Sequence, residues 1–158
     1  MNEILTPHLM SIFGRLILAV VLGAFIGFER EFSRKYAGLR TYTLVSLGAA
    51  LFAVLSEELP FLAMQNFGSV YSFDPSRIIS QIVVGIGFLG AGMVIFHNEK
   101  VFGLTTAAGI WVTAAVGAAV GIGAYAIAAF ATILTLFILV ILRWCESLIK
   151  RNDNDLIK

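Results

Sequence analysis

Phe102 to Leu142 reads FGLTTAAGIWVTAAVGAAVGIGAYAIAAFATILTLFILVIL, without a single Asp, Glu, Lys or Arg. The run is about twice the roughly 20 apolar residues that carry a helix across a bilayer, and Gly121 and Gly123 interrupt it near its middle. It therefore predicts an antiparallel pair of membrane helices: a fourth span over Phe102 to about Val120 and a fifth over Ile122 to Leu142. Three more apolar windows precede it. These are a third span at Ser76 to Phe96, a second at Leu39 to about Leu55, and a first at Ser11 to Phe28, broken only by Arg15. The first has no basic leader and is followed by Glu29-Arg30-Glu31 instead of a small-residue cleavage site, so it reads as a retained helix and not a signal peptide.

Composition points the same way. Of 158 residues, 59% are apolar and 13% charged, where a soluble domain carries about 45–50% and about 25%. Eleven Lys and Arg against ten Asp and Glu leave a net charge of +1, which provides no basic footprint for nucleic acid. Five spans within 17.1 kDa leave no room for a separate catalytic domain. The single cysteine, Cys145, excludes an internal disulfide and any cysteine-based metal site within one chain. The expected fold is all-α: one transmembrane domain of about five helices over residues 1–158, with membrane lipids as its surroundings.

Basic residues stay on the cytoplasmic side of a membrane protein. With five spans, one side collects Arg30, Arg34, Lys35, Arg40, Lys100, Arg143, Lys150, Arg151 and Lys158, and the other only Arg15 and Arg77. The expectation is an external N-terminus and a cytoplasmic C-terminus. Ser56 to Pro75, with Glu57, Glu58 and Asp74, then forms the one sizeable external loop, with room for a short surface helix.

Several residues invite closer reading. Asp74-Pro75-Ser76-Arg77 has the form of a helix start, with Asp accepting orphan amide hydrogens and Pro in the first turn. Arg15 and Arg77 both fall at the outer boundary, and pairing Arg15 with Asp74 is the simplest way to reduce the roughly 2.5–3.5 kcal/mol cost of an arginine deep in a membrane helix, snorkelling being the alternative. At the inner boundary Glu29 lies on the last turn of the first span, where the helix dipole repels an anion. Arg30 is adjacent but on a different part of the helix surface, which makes Arg40 the better candidate partner; a solvated carboxylate is the other reading. Arg30, Arg34 and Lys35 also suit anionic lipid headgroups.

Gly85-Ile86-Gly87-Phe88-Leu89-Gly90 matches G-x-G-x-x-G, but a nucleotide site needs a preceding strand and a helix opening at the motif, and this match lies within a membrane span. The glycines at 85, 87, 90 and 92 serve instead for close helix packing at the centre of the bundle, or to loosen a helix that lines a cavity. Gly23 with Gly27 and Gly117 with Gly121 place small groups on one helix face, within the chain or between copies, and a homodimer is the expected oligomer. Thr105, Thr106 and Thr113, with Ser80 and Gln81, are the polar groups well inside; each can bond a helix carbonyl or a neighbouring helix. His8 and His97 fall on opposite sides of the membrane and cannot share a metal. Acids confined to boundaries weaken a cation-transport reading, although carbonyls freed by the third-span glycines could serve a cation. No nucleophile with an adjacent base is visible, so no enzyme and no cofactor is expected.

The blocks Gly23-Ala-Phe-Ile-Gly27-Phe-Glu29-Arg30-Glu31, Ala37-Gly38-Leu39-Arg40-Thr41, Asp74-Pro75-Ser76-Arg77, Gly85 to Gly92, and Gly103-Leu104-Thr105-Thr106-Ala107-Ala108 with Trp111 resemble, in order and spacing, the MgtC/SapB family of bacterial membrane proteins. The likeness covers roughly Arg15 to Arg143. It implies a multi-pass protein of the bacterial inner membrane, with a family link to survival under magnesium limitation and, in pathogens, inside macrophages. It also implies a regulatory function, restraint of the F-type ATP synthase having been connected to members, with magnesium transport as the alternative. By motif match the residues carried over are Glu29, Arg40, Asp74, Arg77, Gly90 and Thr106. Longer members add a soluble C-terminal domain; here about fifteen residues follow Arg143, and that domain is not expected.

Overall fold

The computed structural model describes residues 2–68 and 74–144. Five helices follow one another: α1 (Asn2–Phe32), α2 (Leu39–Phe67), α3 (Ser76–Met93), α4 (Leu104–Gly121) and α5 (Tyr125–Phe137), the last continuing into π-helical turns at Ile138–Leu142. All five are long and apolar enough to cross a membrane. Cys145 and the tail lysines and arginine lie outside the described residues.

The boundaries differ from expectation for identifiable reasons. α2 runs on through Pro60 to Phe67 instead of ending near Leu55, so the predicted loop is largely helix. Its Glu57 and Glu58 lie alongside α1, where Arg15 and His8 engage them. α3 stops at Met93 because Ile95–His97 and Lys100–Phe102 pair as a short antiparallel hairpin. Asn98 and Glu99 both take positive φ there, as a two-residue hairpin turn with the twist of its strands requires. Between α4 and α5 the chain reverses at Gly123 (φ +81). The Ala124 amide donates to the Ala119 carbonyl at 2.8 Å and the Gly123 amide to the Val120 carbonyl at 3.0 Å, a glycine-dependent Schellman stop.

α4 is the centre and touches all four other helices. Half of its residues are buried inside the bundle, against 6% for α3. The expectation that the glycine-rich third span packs at the centre is therefore corrected: α3 lies at the rim, resting on α4 and less closely on α2. The core joins Ala19 and Ile26 of α1, Tyr42, Ala49 and Ala50 of α2, and Ile110, Ala114, Val116 and Val120 of α4. These residues are mostly small, as lipid-solvated bundles require, because helix association there rests on close van der Waals approach and not on expulsion of water.

Candidate functional site

At the end of the bundle formed by the close of α1 and the start of α2, Arg30 is almost wholly buried (2% exposed). Its guanidinium donates to Glu29 Oε2 through Nε and also pairs through Nη2. The other Glu29 oxygen accepts the Ser33 hydroxyl at 2.6 Å and lies 3.8 Å from Arg143 Nη1, while Arg143 donates to the Ser33 hydroxyl oxygen. Glu29 thus sits between two arginines contributed by opposite ends of the chain. Arg40 is exposed and is not its partner: placed after the turn, it leaves Glu29 to its own neighbour, whose side chain folds back along the helix end. The turn itself is a second Schellman stop, with Lys35 N to Arg30 O at 3.1 Å, Arg34 N to Glu31 O at 2.9 Å and Arg34 at φ 51. Glu31 then accepts the Leu39 amide at 3.1 Å and caps α2 from the preceding helix. A side chain at Gly38 would collide with that carboxylate.

At the opposite end, Arg15 Nη1 donates to Glu57 at 2.6 Å and to the Gly121 carbonyl at 2.8 Å, tying α1 to α2 and to the end of α4. His8 meets Glu58 at 3.0 Å. The expected pairing of Arg15 with Asp74 is not formed, because the extended α2 brings Glu57 alongside Arg15 first. Asp74 is instead the cap read from its motif: its carboxylate accepts the Ser76 amide at 2.9 Å. Hydrogen bonds from the Ser76 side chain and amide hold it below the ordinary carboxylate range.

Between these two ends the small residues divide into two groups. A Cβ added at Gly23 would stand 2.5 Å from Ser46 Cβ, at Gly27 2.9 Å from Leu39 Cα, and at Gly121 2.6 Å from the Ala50 carbonyl; at Gly117 it would overlap the Ser46 carbonyl. These four faces are occupied within the chain. Two residues that sequence reasoning passed over complete the seam: Ser46 donates to the Ala19 carbonyl at 2.7 Å and Tyr42 to the Thr106 carbonyl at 3.2 Å. Thr113, Thr132 and Thr135 bond carbonyls one turn back in their own helices. Gly85, Gly87 and Gly92 would meet nothing within 4 Å, and Gly90 alone of the α3 glycines faces a neighbour, Ala107, at 3.7 Å. Gln81 and Thr105 are exposed and Thr106 is buried. A cavity of about 280 Å³ separates α3 from α4, and a groove of about 880 Å³ separates it from α2.

The Glu29 cluster, the seam and the third helix all fall inside residues 16–148, which match the model of the MgtC family, while Arg15 and His8 precede that range. The chain belongs to the MgtC family. It is 44% identical over 127 residues to the Escherichia coli K12 protein named "Putative magnesium transporter YhiD", covering 79% of this chain and 57% of that protein. It is 46% identical over 127 residues to "Protein MgtC" of Brucella abortus, covering 79% and 48%. A Synechocystis protein is 42% identical over 129 residues, covering 82% and 51%. The chain thus spans about half the length of these relatives. No solved structure matches it.

Among the six residues carried over from the MgtC/SapB resemblance, the structure separates distinct surroundings. Glu29 lies in the arginine cluster, Thr106 supplies the carbonyl that holds Tyr42, and Asp74 starts α3. Gly90 lies against α4, while Arg40 and Arg77 are exposed. Among the described residues no three His, Cys, Asp or Glu side chains come together. Arg30, Ser33, Glu57, Arg143, Tyr42 and Ser46 were missed as site residues. Their signal in sequence was polarity at helix ends and mid-span, which gives no partner until the helices are laid side by side.

Proposed function

We propose that this MgtC family member is a non-enzymatic regulatory protein of the bacterial inner membrane, with its C-terminus in the cytoplasm. In this reading it serves adaptation to magnesium limitation by binding another membrane complex, of which the F-type ATP synthase is one. The observation that carries the reading is the contrast in helix faces. The small residues of α1 and α4 are closed against α2, whereas Val84, Gly87 and Phe88 of α3 are open to the bilayer. A neighbouring protein's helix can approach closely where side chains are missing. Neutralised boundary carboxylates support the same reading, since Glu29 and Glu57 are each held by an arginine.

Cation transport is the second reading, favoured by the printed name of the E. coli relative. The two separate in sealed liposomes and in native membranes. A photo-crosslinker at Phe88 is expected to capture a defined membrane complex, one at Ile110 to capture none, and liposome flux to stay at the empty-vesicle level. Magnesium flux abolished by Glu29→Ala or Asp74→Ala would overturn the regulatory reading.

A further inference from the structure

The groove between α2 and α3 adjoins the open surface of α3 just discussed, and it has a chemistry of its own. Its volume is about 880 Å³, and its walls are Leu44, Phe52, Leu59, Ile82, Leu89 and similar residues. Gly48 and Gly85 leave it open from opposite sides, neither having a neighbour within 4 Å where a side chain would stand. Arg77 is the charged residue on its wall, with Gln81 one turn further in. Arg77 lies at the start of α3, on the end of the bundle where Arg15 and Glu57 meet. Among the described residues Glu57 is committed to Arg15 and Glu58 to His8, while Asp74, bonded to the Ser76 amide, is near enough to Arg77 for the two charges to attract but forms no ion pair with it.

We propose that this groove holds one membrane phospholipid, with its acyl chain laid between α2 and α3 and its phosphate on Arg77. Three observations select this occupant. Below Arg77 and Gln81 the walls are apolar side chains that offer water no partner, whereas an alkyl chain matches them. From Arg77 to Leu89 the groove descends twelve residues of helix, about 18 Å at 1.5 Å per residue, which is close to the roughly 15 Å that one leaflet contributes to a hydrocarbon core of about 30 Å. A guanidinium at the top of an apolar channel one leaflet deep stands where a lipid phosphate stands, and arginine pairs well with phosphate. A second protein helix is the competing occupant, and its apolar face brings no anion to Arg77.

The test is native mass spectrometry of the full chain, extracted from membranes in mild detergent and then stripped and reloaded with phosphatidylglycerol. Wild type is expected to retain one phospholipid per chain. Gly85→Phe fills the groove and is expected to abolish retention; Gly48→Leu does the same from the facing wall, so that a folding failure in one variant is separated from loss of the site by circular dichroism of the other. Arg77→Gln is expected to weaken phosphatidylglycerol retention about five- to tenfold while leaving diacylglycerol, which has no phosphate, unchanged. Glycerol phosphate alone is expected not to compete. Phospholipid retained equally by wild type and both groove-filling variants would overturn the proposal. So would a wild-type dimer that Gly85→Phe converts to monomer at constant lipid content, because a second copy would then be the occupant.

Discussion

Helices α3 and α4 each run for eighteen residues and are both rich in glycine, yet they occupy opposite situations. In α4, Gly109, Gly117 and Gly121 each face Tyr42, Ser46 or Ala50 of α2 so closely that a methyl group would collide. In α3, Gly85, Gly87 and Gly92 face nothing. The same sequence feature thus makes a seam in one helix and a free surface in the other. What decides between them is the partner: α2 offers α4 a row of small and backbone-bonded residues, Ser46, Ala49, Ala50 and Ala53, and turns its large side chains Leu44, Phe52 and Leu55 toward α3. α3 cannot close on that wall. Substitutions in the seam should therefore destabilise, and matching ones in α3 should not.

The largest effect is expected at the charged end of the seam. Arg30→Ala removes the buried partner of Glu29 and is expected to cost about 3–5 kcal/mol, the usual penalty for stranding one member of a buried pair, with Arg143 holding the loss toward the lower value. Arg40→Ala, on an exposed side chain, is the control and should leave thermal unfolding in detergent unchanged. Next comes Gly117→Ala. The added methyl meets the Ser46 carbonyl, which is backbone and cannot swing aside, so a loss of about 1–3 kcal/mol is expected despite alanine's better helix propensity. Gly87→Ala should do the reverse: with open space around it, the propensity gain of about 0.5–1 kcal/mol is left uncompensated and α3 is stabilised. Equal responses at positions 87 and 117 would erase the distinction between the two helices.

Five spans were legible because an uncharged run such as Phe102 to Leu142 has only one economical solution in a bilayer, and Asp74-Pro75 was legible as a cap because capping is local. The end of α2 was not. Ser56-Glu57-Glu58-Leu59-Pro60 looks like a helix leaving the membrane until Arg15 and His8 are placed beside it, and that contact spans more than forty residues. The Glu29 pairing failed for the opposite reason: the choice between Arg30 and Arg40 turned on side-chain direction within the last turn of α1, which adjacency in sequence does not specify. The central place given to α3 failed because glycine content measures how closely helices can approach and carries no information about whether one does.

The smallest effect concerns how the start of α3 is fixed, since among its residues only Ile86 is buried and its first turn lies apart from the core. Asp74 anchors its first turn through the Ser76 amide, and its carboxyl is held below the ordinary carboxylate range by that bond and by the Ser76 side chain. A depressed folded-state value means the charged cap stabilises the turn above the unfolded-state value and is lost only as pH falls through the lower, folded one. Hydrogen-exchange protection of the first α3 amides, corrected for intrinsic rates, should thus stay level from neutral pH down to the ordinary carboxylate range and decline only below it. Asp74→Asn, which keeps an acceptor but cannot titrate, should remove that decline. Protection at Tyr42 and Ser46 should not follow it, because nothing in the α1, α2 and α4 seam depends on Asp74. A decline shared by both regions would mean that the start of α3 opens together with the core, and that the open glycine face is not independent of it.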